Sequence, residues 1–135
     1  MMHWLGLWIT AAVLFLLVDM IWLLWLGRNF YVSEIGELLR QPPNLAAAAA
    51  FYLLYVTGLM IMVIWPAAQA ESVTQGLIYG ALLGLVAYGT YDLTNLAVLK
   101  GFTVKIALID MAWGTILTGG VSALTVAIST RLTSS

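Results

Sequence analysis

Four long apolar stretches constrain this chain more than any other feature of its sequence. They run over about residues 4–26, 45–65, 73–99 and 104–128. Each supplies roughly the 20 residues that an α-helix needs to cross a hydrocarbon core of about 30 Å. Because the stretches are continuously apolar and do not alternate, they are unlike the strands of a membrane β-barrel. The pattern predicts an all-α integral membrane protein, a four-transmembrane-helix bundle forming a single transmembrane domain over residues 1–135.

Composition narrows the class of protein further. Of the 135 residues, 63% are hydrophobic and only 8% are charged, against roughly 25% charged residues in soluble domains. The net charge of −1 lacks the basic surface that nucleic-acid binding requires. The absence of cysteine excludes disulfides, thiolate metal sites and cysteine nucleophiles. The expected partner is the lipid bilayer, and no cofactor is evident.

The basic residues predict an orientation in the membrane. Arg28 and Arg40 lie in the first connection, Lys100 and Lys105 lie at the third, and only Arg131 lies in the tail. By the positive-inside rule, the first and third connections are cytoplasmic and both termini are outside.

The first stretch and the connection after it carry two further expectations. The first stretch lacks a basic leading region and a small-residue cleavage site, so we expect it to be retained as a span. Four apolar residues between positions 31 and 39 are spaced as one face of a short helix lying in the membrane interface. An ordinary polar loop is the alternative.

Three aspartates lie inside the apolar stretches. Asp19 lies nine residues before Arg28, Asp92 lies eight before Lys100, and Asp110 lies five after Lys105. At about 1.5 Å per residue, all three lie roughly 7 to 14 Å below the cytoplasmic boundary. A charged side chain at the centre of a span costs about 2.5 to 3.5 kcal/mol, so three of them are expected to face the bundle interior. The sequence therefore predicts one layer of acidic groups.

Polar and aromatic residues at a comparable depth complete this predicted acidic cluster. Trp22 and Trp113 each follow an aspartate by three residues, and we expect their indole N–H groups to reach a carboxylate on a neighbouring helix. On the third stretch, Tyr88, Asp92 and Asn95 are spaced by four and three residues and therefore share one face of the helix. The candidate site residues are Asp19, Trp22, Tyr52, Tyr55, Tyr88, Tyr91, Asp92, Thr94, Asn95, Asp110 and Trp113.

The chemistry of the cluster leaves several functions open. It offers hard oxygen ligands without histidine or cysteine, which suits protons, sodium, calcium or magnesium better than zinc or copper. Crowded carboxylates favour retention of a proton, as in proton relays. Alternatively, the acids accept hydrogen bonds and lock the helices together. No Ser-His pair, dinucleotide glycine motif or HExxH metal motif occurs within the spans, so the sequence favours a non-enzymatic role.

Three functional hypotheses follow from this chemistry. The first is a transporter-like protein that binds or relays a proton or hard cation. The second is an accessory protein that binds lipid or a membrane partner, with structural aspartates. The third is a lipid-modifying membrane enzyme.

A stripe of small residues predicts close helix packing. Gly76, Gly80 and Gly84 are spaced by four, which lets another helix approach closely. The stripe lies about 80 to 160 degrees around the helix from Asp92, so we expect it to meet a different neighbour from the acidic face. That neighbour is either in the same chain or in a second copy, which would make a homo-oligomer.

The two halves of the chain also show a faint sequence similarity. The segment from Asp19 to Trp22 aligns with that from Asp92 to Asn95. If it reflects duplication, this similarity implies a parallel two-plus-two repeat with a site between the halves.

Three motifs resemble a known family. They are FYLLYVTG at 51–58, AYGTYDLTNLA at 87–97 and DMAWGT at 110–115. These motifs are similar to those of the bacterial predicted membrane proteins grouped as domain of unknown function 2177. The resemblance covers nearly the whole chain and implies a four-helix protein of the bacterial inner membrane, with no established activity.

Overall fold

The structure, a computed structural model, describes residues 3–22 and 44–134. Each helix below is long and apolar enough to cross a membrane, which confirms the predicted four-helix transmembrane architecture. The predicted interfacial helix between residues 31 and 39, together with Arg28 and Arg40, lies outside the described residues. The helices are α1 (Trp4–Ile21), α2 (Leu45–Gln69), α3 (Val73–Val98) and α4 (Val104–Ser134).

Helix α2 continues through Pro66, although that proline is the predicted end of the second span at residue 65. A proline has no N–H to bond to the carbonyl four residues back, and its ring collides with that carbonyl in a regular helix. Just before the proline, α2 widens into a π-helical turn over Met60–Ile64, in which the Trp65 N–H bonds to the Met60 carbonyl. The helix then resumes to Gln69. The predicted end at residue 65 is therefore wrong by about one helical turn.

The helix ends follow local sequence signals. Asn44, Ser72 and Thr103 each accept a hydrogen bond from the N–H three residues further on, at 3.0 to 3.1 Å, and so cap α2, α3 and α4. Gly101, with a φ of 85°, makes the turn between α3 and α4. Helix α4 extends beyond the predicted end at residue 128, because residues 129–134 contain neither glycine nor proline.

Helices α3 and α4 pack antiparallel along a row of residues that are four apart on each helix. The row passes through the stripe of small residues and continues into the predicted acidic cluster. Each advance of four residues along α3 is matched by four residues in the opposite direction along α4. This register places Asp92 opposite Asp110. The other facing pairs are Gly76 with Val126, Gly80 with Ser122, Gly84 with Thr118, Tyr88 with Gly114, and Leu96 with Ile106.

The glycine stripe and the acidic face therefore meet the same helix, and the expectation of different neighbours is wrong. Viewed down the axis of α3, Gly80 and Asp92 are far apart in angle. A row of residues spaced by four is nevertheless inclined by about 26° to the helix axis, and a neighbouring helix packs along that row. Because α4 occupies the stripe, the stripe does not offer a surface to a second copy of the chain.

Helix α1 brings the first aspartate into the bundle. Leu7, Ala11, Phe15 and Asp19 are spaced by four and are all buried. The three apolar residues belong to a core cluster that also contains side chains of α2 and α4. Asp19 thus continues this buried row, and packing of the row's apolar residues places it between the neighbouring helices.

The outer surface of the bundle is apolar. Leu54, Val98 and Ile116 are 66% to 75% exposed, and other large aliphatic side chains on all four helices are similarly exposed. Such a surface is stable against lipid tails and unfavourable in water. The fold therefore indicates a membrane environment.

Candidate functional site

Asp19 joins three helices through its two carboxylate oxygens. The hydroxyl of Tyr52 on α2 donates to Oδ2, and Nε1 of Trp113 on α4 donates to Oδ1 at 3.1 Å. The carboxylate is only 7% exposed. The indole–carboxylate bond expected from the sequence is thus present for Trp113, and it ties α1 to α4 while the phenol ties α1 to α2.

Stacked aromatic rings surround this carboxylate. Trp22 stacks on Trp113, with ring centroids 4.7 Å apart and an angle of 13° between the planes. Phe15 contacts Tyr52 and Tyr55 edge to face, at 5.6 Å and 5.4 Å. Because each ring is held by another, the hydrogen-bonding groups of Trp113 and Tyr52 have defined positions.

A second polar contact joins α2 to α4 deeper in the bundle. The hydroxyls of Tyr55 and Thr118 lie 2.9 Å apart and share a hydrogen bond. The ring of Tyr88 lies directly on Gly114, where any Cβ would collide with it, and its centroid is 6.2 Å from that of Tyr55. The missing side chain at Gly114 is therefore what allows Tyr88 to enter this region.

Asp92 is the most enclosed acid of the described residues. Its side chain is 0% exposed, and within the described part of the chain neither carboxylate oxygen has a hydrogen-bond partner. The carboxyl of Asp110, which faces Asp92 across the α3–α4 interface, is close enough to interact with it electrostatically. Two acids from facing helices thus meet in the bundle interior.

A cavity of about 360 Å³ lies between the four helices at the level of the acids. Both Asp19 and Asp110 line it, whereas Asp92, which interacts with Asp110, does not. Every helix contributes to the wall. The described residues that line it are Asp19, Trp22, Phe51, Tyr55, Ala87, Tyr88, Tyr91, Asp110 and Trp113.

The remaining residues predicted for the cluster do not line this cavity. Tyr52 is oriented toward Asp19. Asn95 is half-buried one turn beyond Tyr91 and interacts with it. Thr94 is exposed on the outside of α3, so the structure does not bring it to the others.

Sequence reasoning missed four residues of the site. Phe51 and Ala87 line the cavity, Thr118 pairs with Tyr55, and Gly114 makes room for a phenol ring. Phe51 lies one turn before a predicted tyrosine, so helix periodicity alone could have identified it. Ala87 and Gly114 share the same spacing of four with Tyr91 and Asp110, but as small residues they carry no chemical signal of a site, and neither does Thr118.

The arrangement bears on which cations the site suits. Among the described residues, no three acidic or histidine side chains converge closely enough to hold one metal ion. Calcium and magnesium usually take six or more oxygen ligands. The cavity instead combines two carboxylates with a largely aromatic wall.

Comparison with known proteins places the chain in a sequence family. The family described as "Predicted membrane protein (DUF2177)" matches residues 4–127. No curated protein and no solved structure matches the chain.

Proposed function

We propose that this chain, which belongs to the DUF2177 family of predicted membrane proteins, binds a cation between its helices and exchanges it for a proton. The cation occupies the cavity, and the proton is held by the Asp92–Asp110 pair. Such an exchange is typical of a small transporter. The proposed location is the bacterial inner membrane, with both termini outside and the cavity toward the cytoplasmic side.

The observation that carries this proposal is the meeting of two acids across the α3–α4 interface, with one of them also lining a cavity. Two ionised carboxylates repel each other strongly where water is scarce, since the interaction is weakly screened. A proton on the pair relieves that repulsion. A cation bound beside Asp110 relieves it equally well, so cation and proton compete for the same negative charge.

The hydrogen bonds of Asp19 support a second, structural role for this acid within the same bundle. Both of its oxygens accept hydrogen bonds, from α2 and from α4. Such bonds lock helices together in a membrane. We therefore assign helix locking to Asp19 and proton exchange to the Asp92–Asp110 pair, which divides between different acids the two roles that the sequence left open.

Proton release on cation binding tests the exchange. The purified chain, at neutral pH in weakly buffered non-ionic detergent with a pH-indicator dye, is mixed with sodium, potassium, magnesium or choline chloride at equal ionic strength. We expect at least one salt to release protons from the wild type. The release should fall in Asp92→Asn and Asp110→Asn, since asparagine keeps the shape but carries no exchangeable acid proton.

Glu71→Gln is the matched control, because Glu71 is an exposed acid in the α2–α3 turn. It should release as many protons as the wild type. If none of the four salts releases protons from the wild type, or if all three variants behave alike, the exchange proposal is wrong. The helix-locking role would then extend to all three acids.

A further inference from the structure

We propose that the cavity binds an organic ammonium ion, either a free amine or the ammonium group of a lipid head. This inference rests on the proposed function and names the class of cation. Of the nine described lining residues, six are aromatic and two are carboxylates. Aromatic rings attract cations that lie within about 6 Å of the ring centroid, and cages of such rings recognise quaternary ammonium groups.

The aromatic wall is built in advance of any ligand. Trp22 stacks on Trp113 at 4.7 Å, and Phe51 stacks on Tyr55 at 5.3 Å. Tyr88 meets Tyr55 edge to face. Rings held in this way lose little further freedom when a ligand binds, and preorganisation of this kind increases affinity.

The two carboxylates make the cavity favourable for a cation. Asp19 on α1 and Asp110 on α4 both line it, and none of its described lining residues is basic. An anion is therefore disfavoured, and a neutral apolar ligand would place no opposite charge beside the two carboxylates. An ammonium ion satisfies both the acids and the rings.

The size of the cavity favours an organic cation over a metal ion. Its volume of about 360 Å³ lies at the lower end of the range of about 300 to 1,000 Å³ for small-molecule sites. That volume equals roughly a dozen water molecules at about 30 Å³ each, far more than a dehydrated metal ion occupies. Within the described residues, no group of three or more acidic or histidine side chains is placed to hold a metal ion.

The described residues also provide an entrance. Phe51 on α2 and Tyr91 on α3 line the cavity and are 45% and 60% exposed in the described part of the chain. The proposed ligand enters between these two side chains. Such an entrance would admit either a small amine or the head of a lipid whose tails remain outside the bundle.

Calorimetric titration of the full chain in non-ionic detergent tests the ligand class. The probes are choline, ethanolamine, sodium chloride and magnesium chloride, together with the alcohol in which a tert-butyl group replaces the trimethylammonium group of choline. We expect choline or ethanolamine to bind and the uncharged alcohol to bind at least about tenfold more weakly. Short-chain phosphatidylethanolamine, compared with short-chain phosphatidylglycerol, distinguishes a lipid head from a free amine.

Tyr91 offers a substitution at the entrance that spares the core. Tyr91→Leu removes a ring face and should weaken ammonium binding about two- to fivefold, whereas Tyr91→Phe keeps the face and should bind as the wild type does. Tyr79→Leu is the control, since Tyr79 is exposed on the same helix and does not line the cavity. Asp110→Asn should weaken binding about tenfold or more.

The possible results separate this inference from the proposed function. Binding of sodium or magnesium that depends on Asp110, with no binding of any ammonium probe, would overturn the inference and leave cation binding in place. Equal binding of the alcohol and choline would overturn it too, because the charge would then be irrelevant. Absence of binding by every cation, together with absence of proton release, would overturn both proposals.

Discussion

The close approach of α3 and α4 at Gly80 leads to a prediction whose size follows from the geometry. A Cβ added at Gly80 would lie 2.8 Å from the Ser122 Cβ and 2.9 Å from the Thr118 carbonyl oxygen. Carbon atoms in good contact are about 3.5 to 4.0 Å apart, so the overlap with the Ser122 Cβ is about 0.7 Å or more. Neither atom can rotate away, because one is a Cβ and the other belongs to the backbone. Gly80→Ala must therefore push the helices apart.

The matched control is Gly120→Ala. Gly120 also lies inside a helix of this pair, and its added Cβ meets nothing within 4 Å. Both substitutions gain the same helix propensity of up to about 1 kcal/mol, so that contribution cancels between them. Overpacking typically costs about 1 to 3 kcal/mol, and we expect Gly80→Ala to be less stable than Gly120→Ala by that amount. Gly80→Leu should be less stable still.

The free energy of unfolding is measured by titrating the purified variants with sodium dodecyl sulfate in mixed micelles and following tryptophan fluorescence. Gly58→Ala provides a second control on α2, where an added Cβ also meets nothing within 4 Å. Equal stability of Gly80→Ala and the two controls would refute the close α3–α4 packing. The register that places Asp92 against Asp110 would then lose its support.

Three further predictions concern the hydrogen bonds and the orientation. Tyr55→Phe should lower the free energy of unfolding by about 0.6 kcal/mol, a typical value for interhelical bonds in membranes, while Tyr79→Phe should leave it unchanged; mixed-micelle titration measures both. Trp113→Phe should cost about 1.5 to 3 kcal/mol by the same assay, since it removes the donor to Oδ1 of Asp19 while keeping an aromatic ring; a loss below that of Tyr55→Phe would contradict this role. A reporter that is active only in the cytoplasm should be silent when fused after Ser135, and activity there would reverse the predicted orientation.

Periodicity and hydropathy were sufficient to predict the helices, because a lipid environment requires each backbone polar group to be satisfied within its own span. The same reasoning failed at Pro66. Whether a proline ends a helix depends on whether the preceding turn can widen, and that is decided by packing around the turn. The predicted end of α4 failed for a related reason, since hydropathy reports where lipid ends and not where a helix ends.

The inward orientation of the acids was predictable from the energetic cost of a charge in lipid, but their pairing was not. The high cost of a charge facing lipid indicates that Asp19, Asp92 and Asp110 turn inward. It does not indicate which of them meet. Asp19 instead binds donors on α2 and α4, whereas Asp92 faces Asp110.

The sequence by itself determined four helices long and apolar enough to span a membrane and the positions of the polar residues along them, because both depend only on distance along a chain with a known rise per residue. The tertiary structure alone decided which residues share a wall. The inclination of α4 along a row of glycines set the register that brings Asp92 to Asp110. Residues with no signal of their own, such as Gly114, then made the space in which aromatic rings surround a cavity.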